Sequence, residues 1–263
     1  MNGHDQRDKL SVVITTRNQA PLLRECLQSV AWADEIIGID DCSTDETAAV
    51  FQEYPQCRYF QRHDYLNGNM NFGFEQALNQ WVMRIDTDER ITPELADEIQ
   101  TMLTDPPEGV TGFEFWERPI ILGRELKHGY GRKHYRKMMW PRSAAKYRVQ
   151  ESHEDLETSG VWRQSRHGYL HLSYPSVSQY LVKTNFWTDQ DVVRDRLPSK
   201  APGRGRAAWE TARAFYLYYL KKRGYRDGWI GLVDAGMRAF YQFTYWAKLR
   251  ERWEQQQADA DGG

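Results

Sequence analysis

Short strand-like segments alternate with helical patterns up to residue 90 of this 263-residue chain. The strand-like segments are rich in β-branched residues, and they are Leu10–Thr16, Glu35–Asp40, Cys57–Phe60 and Trp81–Ile85. Between them, apolar residues recur at the i, i+3 and i+4 spacing of a helix, over Leu22–Val30 and Phe72–Gln80. Strands that alternate with helices pair in parallel through right-handed crossovers. The pattern therefore predicts an α/β fold with a mostly parallel sheet flanked by helices.

Polar clusters follow three of these strands: Thr15–Asn18, Asp40–Asp45 and Asp86–Glu89. Ligands bind beyond the carboxyl ends of the strands in a parallel sheet, so we expect the clusters to face one crevice. Carboxylates that share a crevice repel each other unless a cation or hydrogen-bond donors compensate. A divalent cation, Mg²⁺ or Mn²⁺, would compensate by bridging the carboxylates to substrate phosphates. The competing interpretation is that these residues only cap helices and form a turn. That interpretation suits an isolated D-x-D, but the presence of all three clusters after successive strands disfavours it.

Three motifs carry a resemblance to a known family: SVVITTRN at 11–18, ADEIIGIDDCSTDET at 33–47 and WVMRIDTDER at 81–90. They resemble family 2 glycosyltransferases, which are inverting enzymes with the GT-A fold that use nucleotide sugars. A closer resemblance, to the bacterial lipopolysaccharide core β-1,4-glucosyltransferase branch, rests on CLQSVAWADEII, ILGRELKHG, SHEDLE and HLSYPSVSQYLVKTN. It covers residues 10–250 and implies a GT-A fold with a C-terminal helical extension.

The resemblance implies roles for residues that contact the sugar donor. Thr15, Arg17 and Asn18 correspond to the first-strand loop that touches the nucleoside. Asp40 and Asp41 take the position of the acid that hydrogen-bonds uracil and its ribose. The donor implied by these positions is a UDP-sugar.

The resemblance also implies a metal site beside the donor. Asp86 and Asp88 correspond to the D-x-D pair, and of the two Asp88 is favoured as the direct metal ligand. Asn71 corresponds to the Asn of a Q-[KR]-N motif that contributes to donor binding. This chain departs from that motif, because Asn69-Met70-Asn71 lacks the basic residue. Another basic residue would have to compensate.

Inverting transfer needs a base for the acceptor hydroxyl and stabilisation of the charge on the departing diphosphate. His153–Asp155 is the one compact cluster of acids and histidine in the sequence after the predicted metal site. Glu154 corresponds to the acid of the H-E pair in the resembled branch, so we predict Glu154 as the base, with Asp155 as the alternative. The competing interpretation is that this cluster caps a helix or forms surface ion pairs.

Two basic segments, Gly123–Gly129 and Arg132–Arg136, could bind the diphosphate or an anionic acceptor, or form a solvated loop. Guanidinium groups suit the first role because they bind phosphate in bidentate geometry. His167 and His171 have the i, i+4 spacing of a helical metal motif. The strand pattern of Tyr169–Leu172 would separate them, so we do not assign the pair to a metal.

These features predict an inverting hexosyltransferase that moves a sugar from a UDP-sugar to a lipopolysaccharide-core or other cell-surface glycan. Glucose is implied by the resemblance, and a different lipid-linked, capsular or exopolysaccharide acceptor is the alternative. A nucleotidyltransferase would need a glycine-rich phosphate loop after the first strand, but Thr15–Gln19 contains no glycine. A non-catalytic glycan- or membrane-binding module is disfavoured by Asp86, Asp88 and Glu154. We predict no nucleic-acid partner.

The C-terminal quarter is basic and aromatic, with 12 Lys and Arg against 4 Asp and Glu in residues 200–252. We predict a GT-A domain over residues 8–197 and an amphipathic helical region over 206–253. Aromatic and basic side chains favour an anionic membrane surface, although such helices also pack their aromatic side chains on a catalytic domain. Three cysteines without a disulfide pattern, and no membrane-spanning apolar run, predict a cytoplasmic enzyme. The aromatic and basic C-terminal helices further predict that it lies at the inner face of the cell membrane.

Overall fold

The computed structural model describes residues 7–148, 156–195, 197–198 and 201–261, which form two compact units. The first unit contains the described residues up to Glu117 together with Lys133–His171. The second contains Arg118–Arg132 together with the described residues from Leu172 onward. The division into domains over residues 8–197 and 206–253 stays a prediction.

The described part of the chain contains eleven strands, nine of them in one sheet. They are β1 (Leu10–Thr16), β2 (Glu35–Asp40), β3 (Cys57–Gln61), β4 (Trp81–Asp86), β5 (Glu89–Arg90), β6 (Val110–Ile121), β7 (Arg124–Glu125), β8 (Tyr135–Pro141), β9 (Ala145–Tyr147), β10 (Leu156–Thr158) and β11 (Val161–Tyr174). The sheet has the order β3-β2-β1-β4-β8-β6-β11-β5. β7 pairs with the end of β6, and β9 pairs separately with β10.

Pairing within the sheet changes direction after β4. β3, β2, β1 and β4 are parallel neighbours, whereas β8 is antiparallel to β4 and to β6, and β5 is antiparallel to β11. The predicted α/β fold is confirmed, and its parallel part consists of the four strands recognised in the sequence.

Helices cover both faces of the parallel strands. α1 (Ala20–Ser29), α2 (Thr47–Gln52) and α4 (Pro93–Thr104) contribute to one apolar core, and α3 (Leu66–Gln76) contributes to the other. Alternate β1 residues enter the two cores, because successive side chains of a strand point to opposite faces. All seven β1 residues are therefore buried, as expected for a parallel strand between two helical layers.

The predicted bounds of the third helix are wrong. The sequence pattern placed it at Phe72–Gln80, but α3 begins at Leu66 and ends at Gln76. The chain leaves the helix because the buried Glu35 carboxylate accepts the Leu78 N–H at 2.9 Å, and Asn79 donates to the Ser11 hydroxyl at 3.1 Å. Side chains of β1 and β2 thus end α3 just before β4.

The second unit is mainly helical. Its helices are α5 (Val177–Arg194), α6 (Arg204–Phe215), a π-helical turn (Tyr216–Lys221), 3-10 turns at Gly129–Gly131 and Gly224–Asp227, and α7 (Trp229–Asp261). α7 packs against α5 and α6. Tyr241 and Tyr245 of α7 donate hydrogen bonds to Asp191 and Asp195. Among the described helices, none is both long and apolar enough to cross a membrane.

Candidate active site

The carboxyl ends of β1, β2 and β4 lie side by side in the first unit. Thr16 is in register with Asp40, and Thr15 is in register with Asp86. The three polar clusters expected from the sequence therefore meet at one edge of the sheet, where parallel sheets bind ligands.

Asp40 is completely buried at this edge, and protein donors occupy its carboxylate. Its Oδ1 accepts hydrogen bonds from the Ser43 N–H at 3.0 Å and from the Ser43 hydroxyl, and its Oδ2 accepts one from the Tyr59 hydroxyl at 2.7 Å. Burial raises the pKa of Tyr59, and the bond to Asp40 raises it further. Asp40 therefore holds the loop after β2 in place.

Asp41, the next residue, is partly open to solvent. Its side chain is 21% exposed, and its carboxylate contacts Arg17 at 3.3 Å and His63 Nδ1 at 2.6 Å. The Arg17 side chain is 60% exposed. Of the two predicted uracil-binding acids, Asp41 is thus the one that a ligand can reach without displacing buried bonds.

Asn18 joins the loop after β1 to the loop after β2. Its backbone has a φ of 52°, a left-handed conformation that Asn adopts more easily than most residues. Its Oδ1 accepts the Thr44 N–H at 2.8 Å, and its own N–H donates to the Ser43 hydroxyl at 2.8 Å. α2 begins at Thr47 with Glu46 at its N-cap position, so neither Ser43 nor Thr44 caps it.

Asp86 is ion-paired with the buried Arg84 and the partly exposed Arg136. Arg84 Nη2 donates to both carboxylate oxygens of Asp86, at 2.9 and 2.8 Å, and Arg136 Nη2 approaches at 3.4 Å. Arg84 Nη1 donates to the Tyr147 hydroxyl at 2.9 Å. Only 2% of the Arg84 side chain is exposed, so its charge depends on these partners.

Asp88, two residues further on, faces His171 of β11. His171 Nε2 is 3.6 Å from Asp88 Oδ2, and His171 Nδ1 is 2.8 Å from Glu117 Oε1. Burial acts to lower the pKa of His171, but its bonds to Asp88 and Glu117 prevail and raise that pKa to about 10. Burial raises the pKa of the adjacent Glu89 to about 7, against the opposing charge of Arg136. The Asp88 side chain is 22% exposed.

Asn71 pairs with the backbone of β9. Its Nδ2 donates to the Tyr147 carbonyl at 2.7 Å, and its Oδ1 accepts the Tyr147 N–H at 2.9 Å. Asn67, one turn earlier on α3, donates to the Arg148 carbonyl at 2.9 Å. These bonds fasten the end of β9 to α3, and the predicted contact of Asn71 with the donor stays a prediction.

The predicted bases Glu154 and Asp155 lie outside the described residues. β9 and β10 pair in antiparallel register, with Tyr147 opposite Leu156. Tyr147 contacts Asn71 through its backbone and Arg84 through its hydroxyl.

The basic segments divide between the two units. Arg136 reaches the acidic cluster, where its Nη1 contacts Glu89. Lys133 lies over the Trp116 ring, with 4.2 Å between the ammonium nitrogen and the ring centroid. In the second unit, His128 Nδ1 is 2.8 Å from Asp227. In these segments, Arg136 reaches Asp86 and Glu89 directly and His134 reaches Glu117, and Arg136 is the candidate phosphate-binding group.

Sequence reasoning missed Arg84, Tyr147 and His171. One signal was available for Arg84, since a charged residue inside the apolar strand WVMRID must have a buried partner. His171 was set aside because a strand separates it from His167, and His167 indeed pairs elsewhere, with Glu98 at 3.0 Å. The contact of His171 with Asp88 depends on the antiparallel pairing of β11 with β5.

The carboxyl edge of a parallel sheet, where these partly exposed carboxylates gather, is where α/β enzymes bind their ligands. Residues 11–153, more than half of the chain, match the family model described as glycosyl transferase family 2. The chain belongs to this family, has the GT-A fold and is a glycosyltransferase, as the sequence motifs predicted.

Similar proteins include a lipopolysaccharide core biosynthesis glycosyltransferase, LpsC of Rhizobium meliloti. It is 26% identical over 254 residues, and the match covers 92% of each chain. A GalNAc(5)-diNAcBac-PP-undecaprenol beta-1,3-glucosyltransferase of Campylobacter jejuni is 33% identical over 112 residues, covering 38% of this chain and 35% of that one. The crystal structure of S. aureus TarS 1–349 gives a TM-score of 0.46 at 13% identity, covering 94% of this chain and 91% of that chain.

Proposed function

We propose that this chain transfers glucose, with inversion, from UDP-glucose to a saccharide of the lipopolysaccharide core. The observation that carries the proposal is the common edge of β1, β2 and β4, where Asp41 and Asp88 are partly exposed. The relative named for lipopolysaccharide core biosynthesis supports the acceptor, because it matches this chain over 92% of both lengths. Another lipid-linked, capsular or exopolysaccharide acceptor is the alternative.

The donor nucleoside would lie against the loops after β1 and β2. Asp41 would accept hydrogen bonds from uracil or ribose, and the exposed Arg17 would contact the nucleotide. Asp40 and Asn18 would stabilise the loop after β2, because both are hydrogen-bonded to residues of that loop. Thr15 would contribute through its position in register with Asp86.

A divalent cation fits Asp88 better than Asp86. Both Asp86 oxygens accept hydrogen bonds from Arg84, although the Asp86 side chain is 29% exposed and that of Asp88 is 22% exposed. No three His, Cys, Asp or Glu side chains of the described ranges are arranged to hold a metal ion, so diphosphate oxygens would have to complete the site. Asp88 would hold Mn²⁺ or Mg²⁺ with His171 beside it. The bound cation would neutralise charge on the departing diphosphate.

Glu154 would act as the general base, with Asp155 as the alternative. A carboxylate there accepts the proton of the acceptor hydroxyl while the hydroxyl oxygen bonds to the anomeric carbon. The bond from the anomeric carbon to the diphosphate oxygen breaks, and UDP leaves with the electron pair. Arg136, which contacts Asp86 and Glu89, would stabilise negative charge at this edge.

A donor panel tests this function. Purified protein is given UDP-glucose, UDP-galactose, UDP-N-acetylglucosamine or GDP-mannose with Mn²⁺ and a truncated lipopolysaccharide core acceptor. We expect UDP release to be fastest from UDP-glucose, and NMR of the product to show a β-glucosidic bond. Release from GDP-mannose alone, or an α-linked product, would contradict the proposal.

Two variants test the chemistry. Asp88→Ala should abolish transfer while circular dichroism remains unchanged, and EDTA should inactivate the wild type. Glu154→Gln should keep UDP affinity but lower kcat by about 10²-fold or more, the usual effect of losing a general base. An unchanged kcat would transfer the role to Asp155 or another acid, and full activity in EDTA would exclude the metal.

We further propose that the enzyme works at the cytoplasmic face of the membrane and contacts lipid through α6 and α7. Trp229, Leu232, Phe240 and Phe243 are exposed and recur at helical spacing along α7, and Trp209 of α6 is 64% exposed. Apolar side chains of this size on one helix face suit an interfacial helix.

Basic residues near this apolar face are of two kinds. Lys221, Arg223 and Arg226 are exposed in the turn before α7, where each would contribute roughly 1 kcal/mol against anionic lipid. Lys248 donates instead to Asp189 at 2.7 Å, and Arg252 donates to the Val192 carbonyl. The basic residues in the C-terminal part of α7 are therefore used in intramolecular contacts. We propose lipid contact for the N-terminal part of α7.

Co-sedimentation with vesicles tests lipid contact. The wild type should bind phosphatidylglycerol vesicles at low salt and dissociate at high salt, because salt screens the basic residues. Phe240→Ser/Phe243→Ser should weaken binding, whereas Leu78→Ser, at a more exposed apolar position of the first unit, should not. Wild-type protein that stays in the supernatant at low salt would contradict lipid contact.

A further inference from the structure

A cavity of about 220 Å³ lies within the second unit. Its lining combines aromatic rings with hydrogen-bonding groups, and the main residues are Tyr174, Tyr180, Tyr218, Arg238, Tyr241 and Gln242. Cavities for drug-sized ligands measure about 300–1,000 Å³, so this one suits a smaller molecule such as a single sugar ring.

The walls of the cavity are held rigidly. The Tyr174 and Tyr180 rings stack with 3.6 Å between centroids and 11° between planes. Arg238 lies between two other rings, with its Cζ 3.5 Å from the centroid of Tyr130 and 5.0 Å from that of Tyr218. A preformed wall reduces the entropy that binding costs.

Arg238 offers hydrogen-bond donors to the cavity. Its Nε donates to the Asp234 carboxylate at 2.9 and 3.1 Å. Across the described chain, we find no hydrogen-bond acceptor for its two terminal NH₂ groups. An Arg fork with free N–H groups is the side chain best suited to a carboxylate or a phosphate.

Several positive charges lie near Arg238. Lys222 and Arg132 are close to it, together with Asp234, and Asp227 lies near Asp234. Lys222 Nζ is 4.3 Å from the Tyr218 ring centroid. Burial lowers the pKa of Lys222, and the nearby Arg238 and Arg132 lower it further. An anion in the cavity would relieve this repulsion.

We propose that this cavity, the tyrosine pocket, binds one acidic sugar ring of the acceptor glycan. Tyrosine rings would cover the C–H face of the sugar, the Gln242 amide would bond to its hydroxyls, and Arg238 would bind its carboxylate or phosphate. This inference rests on the proposed function, which makes a saccharide the acceptor. It adds that the acceptor carries a negative charge.

A matched pair of sugars tests the tyrosine pocket. D-glucuronate and D-glucose differ only in having a carboxylate or a hydroxymethyl group at C6. Binding to the full-length protein is followed by saturation-transfer NMR. We expect glucuronate to bind about tenfold more tightly or better, the effect of one charge-assisted hydrogen bond. Equal affinity for the two sugars overturns the proposal.

Variants locate the binding. Asp234→Asn/Arg238→Gln removes both charges of the buried pair together, so neither is left unpaired, and it should abolish the preference for glucuronate. Gln242→Leu should weaken binding of both sugars by about threefold to tenfold, the effect of one lost hydrogen bond. Gln255→Leu, on the exposed part of α7, is the control and should bind as the wild type does.

Unchanged glucuronate binding in the double variant and in Gln242→Leu overturns the proposal. If the double variant unfolds, Gln242→Leu alone still decides, because its side chain lies at the cavity wall. UDP titration of the wild type is the separate readout of the proposed function. Binding of UDP without a preference for glucuronate would contradict only this inference. Binding of glucuronate without binding of UDP would contradict the proposed function.

Discussion

Replacement of Asn71 by Ala would separate a structural role from a donor-binding role. Asn71 makes two hydrogen bonds to the Tyr147 backbone, at 2.7 and 2.9 Å, and Tyr147 is only 3% exposed. The variant leaves a buried N–H and a buried carbonyl without these partners, at about 1–3 kcal/mol each. We expect the free energy of unfolding to fall by roughly 2–6 kcal/mol, and the Tm by roughly 4–24 °C for a chain of this size.

Urea unfolding and UDP titration measure the two effects together. UDP affinity of Asn71→Ala should stay within about threefold of wild type, or about 0.7 kcal/mol. Glu75→Ala, on the exposed side of the same helix, is the control and should change neither quantity. The reasoning is refuted if Asn71→Ala unfolds like the wild type but loses UDP binding, because Asn71 would then contact the donor.

Other substitutions test the contacts around the site. Tyr147→Phe removes the acceptor of the Arg84 hydrogen bond, so it should cost about 1–3 kcal/mol in urea unfolding and lower kcat more than it changes the donor KM. Asp41→Ala should weaken UDP binding about tenfold by calorimetry with little change in Tm. Asp40→Ala should lower the Tm markedly, since it leaves the Tyr59 hydroxyl without its partner. A reversed outcome for Asp40 and Asp41 would contradict the roles that their burial indicates.

The parallel strands could be predicted from the sequence because their signal is local. β1 and β2 begin and end at the predicted residues, and the polar residues that follow them reach one edge of the sheet. Burial between two helical layers imposes this β-branched pattern on each strand separately. Parallel pairing brings the carboxyl ends of neighbouring strands together. The positions of Asp40 and Asp86 beside the end of β1 could therefore also be predicted.

The contacts that organise the site could not be predicted in the same way. Arg84 meets Tyr147 across 63 positions of the chain. His171 reaches Asp88 only because β11 pairs with β5. Asp40 looks like a ligand-binding acid in the sequence, but its three protein donors become apparent only when Ser43 and Tyr59 are brought together. Long-range contacts therefore determine which aspartate is hydrogen-bonded to protein groups and which one a ligand can contact.

The most direct test of the account is whether Mn²⁺ and UDP bind cooperatively through Asp88. UDP affinity is measured by calorimetry with and without Mn²⁺, in the wild type and in Asp88→Asn, which preserves side-chain size. We expect Mn²⁺ to raise wild-type UDP affinity by about tenfold or more and to leave Asp88→Asn unaffected, within the usual range of coupling between two ligands. Equal enhancement in both proteins, or none in the wild type, would contradict a metal-dependent nucleotide-sugar site at this edge of the sheet.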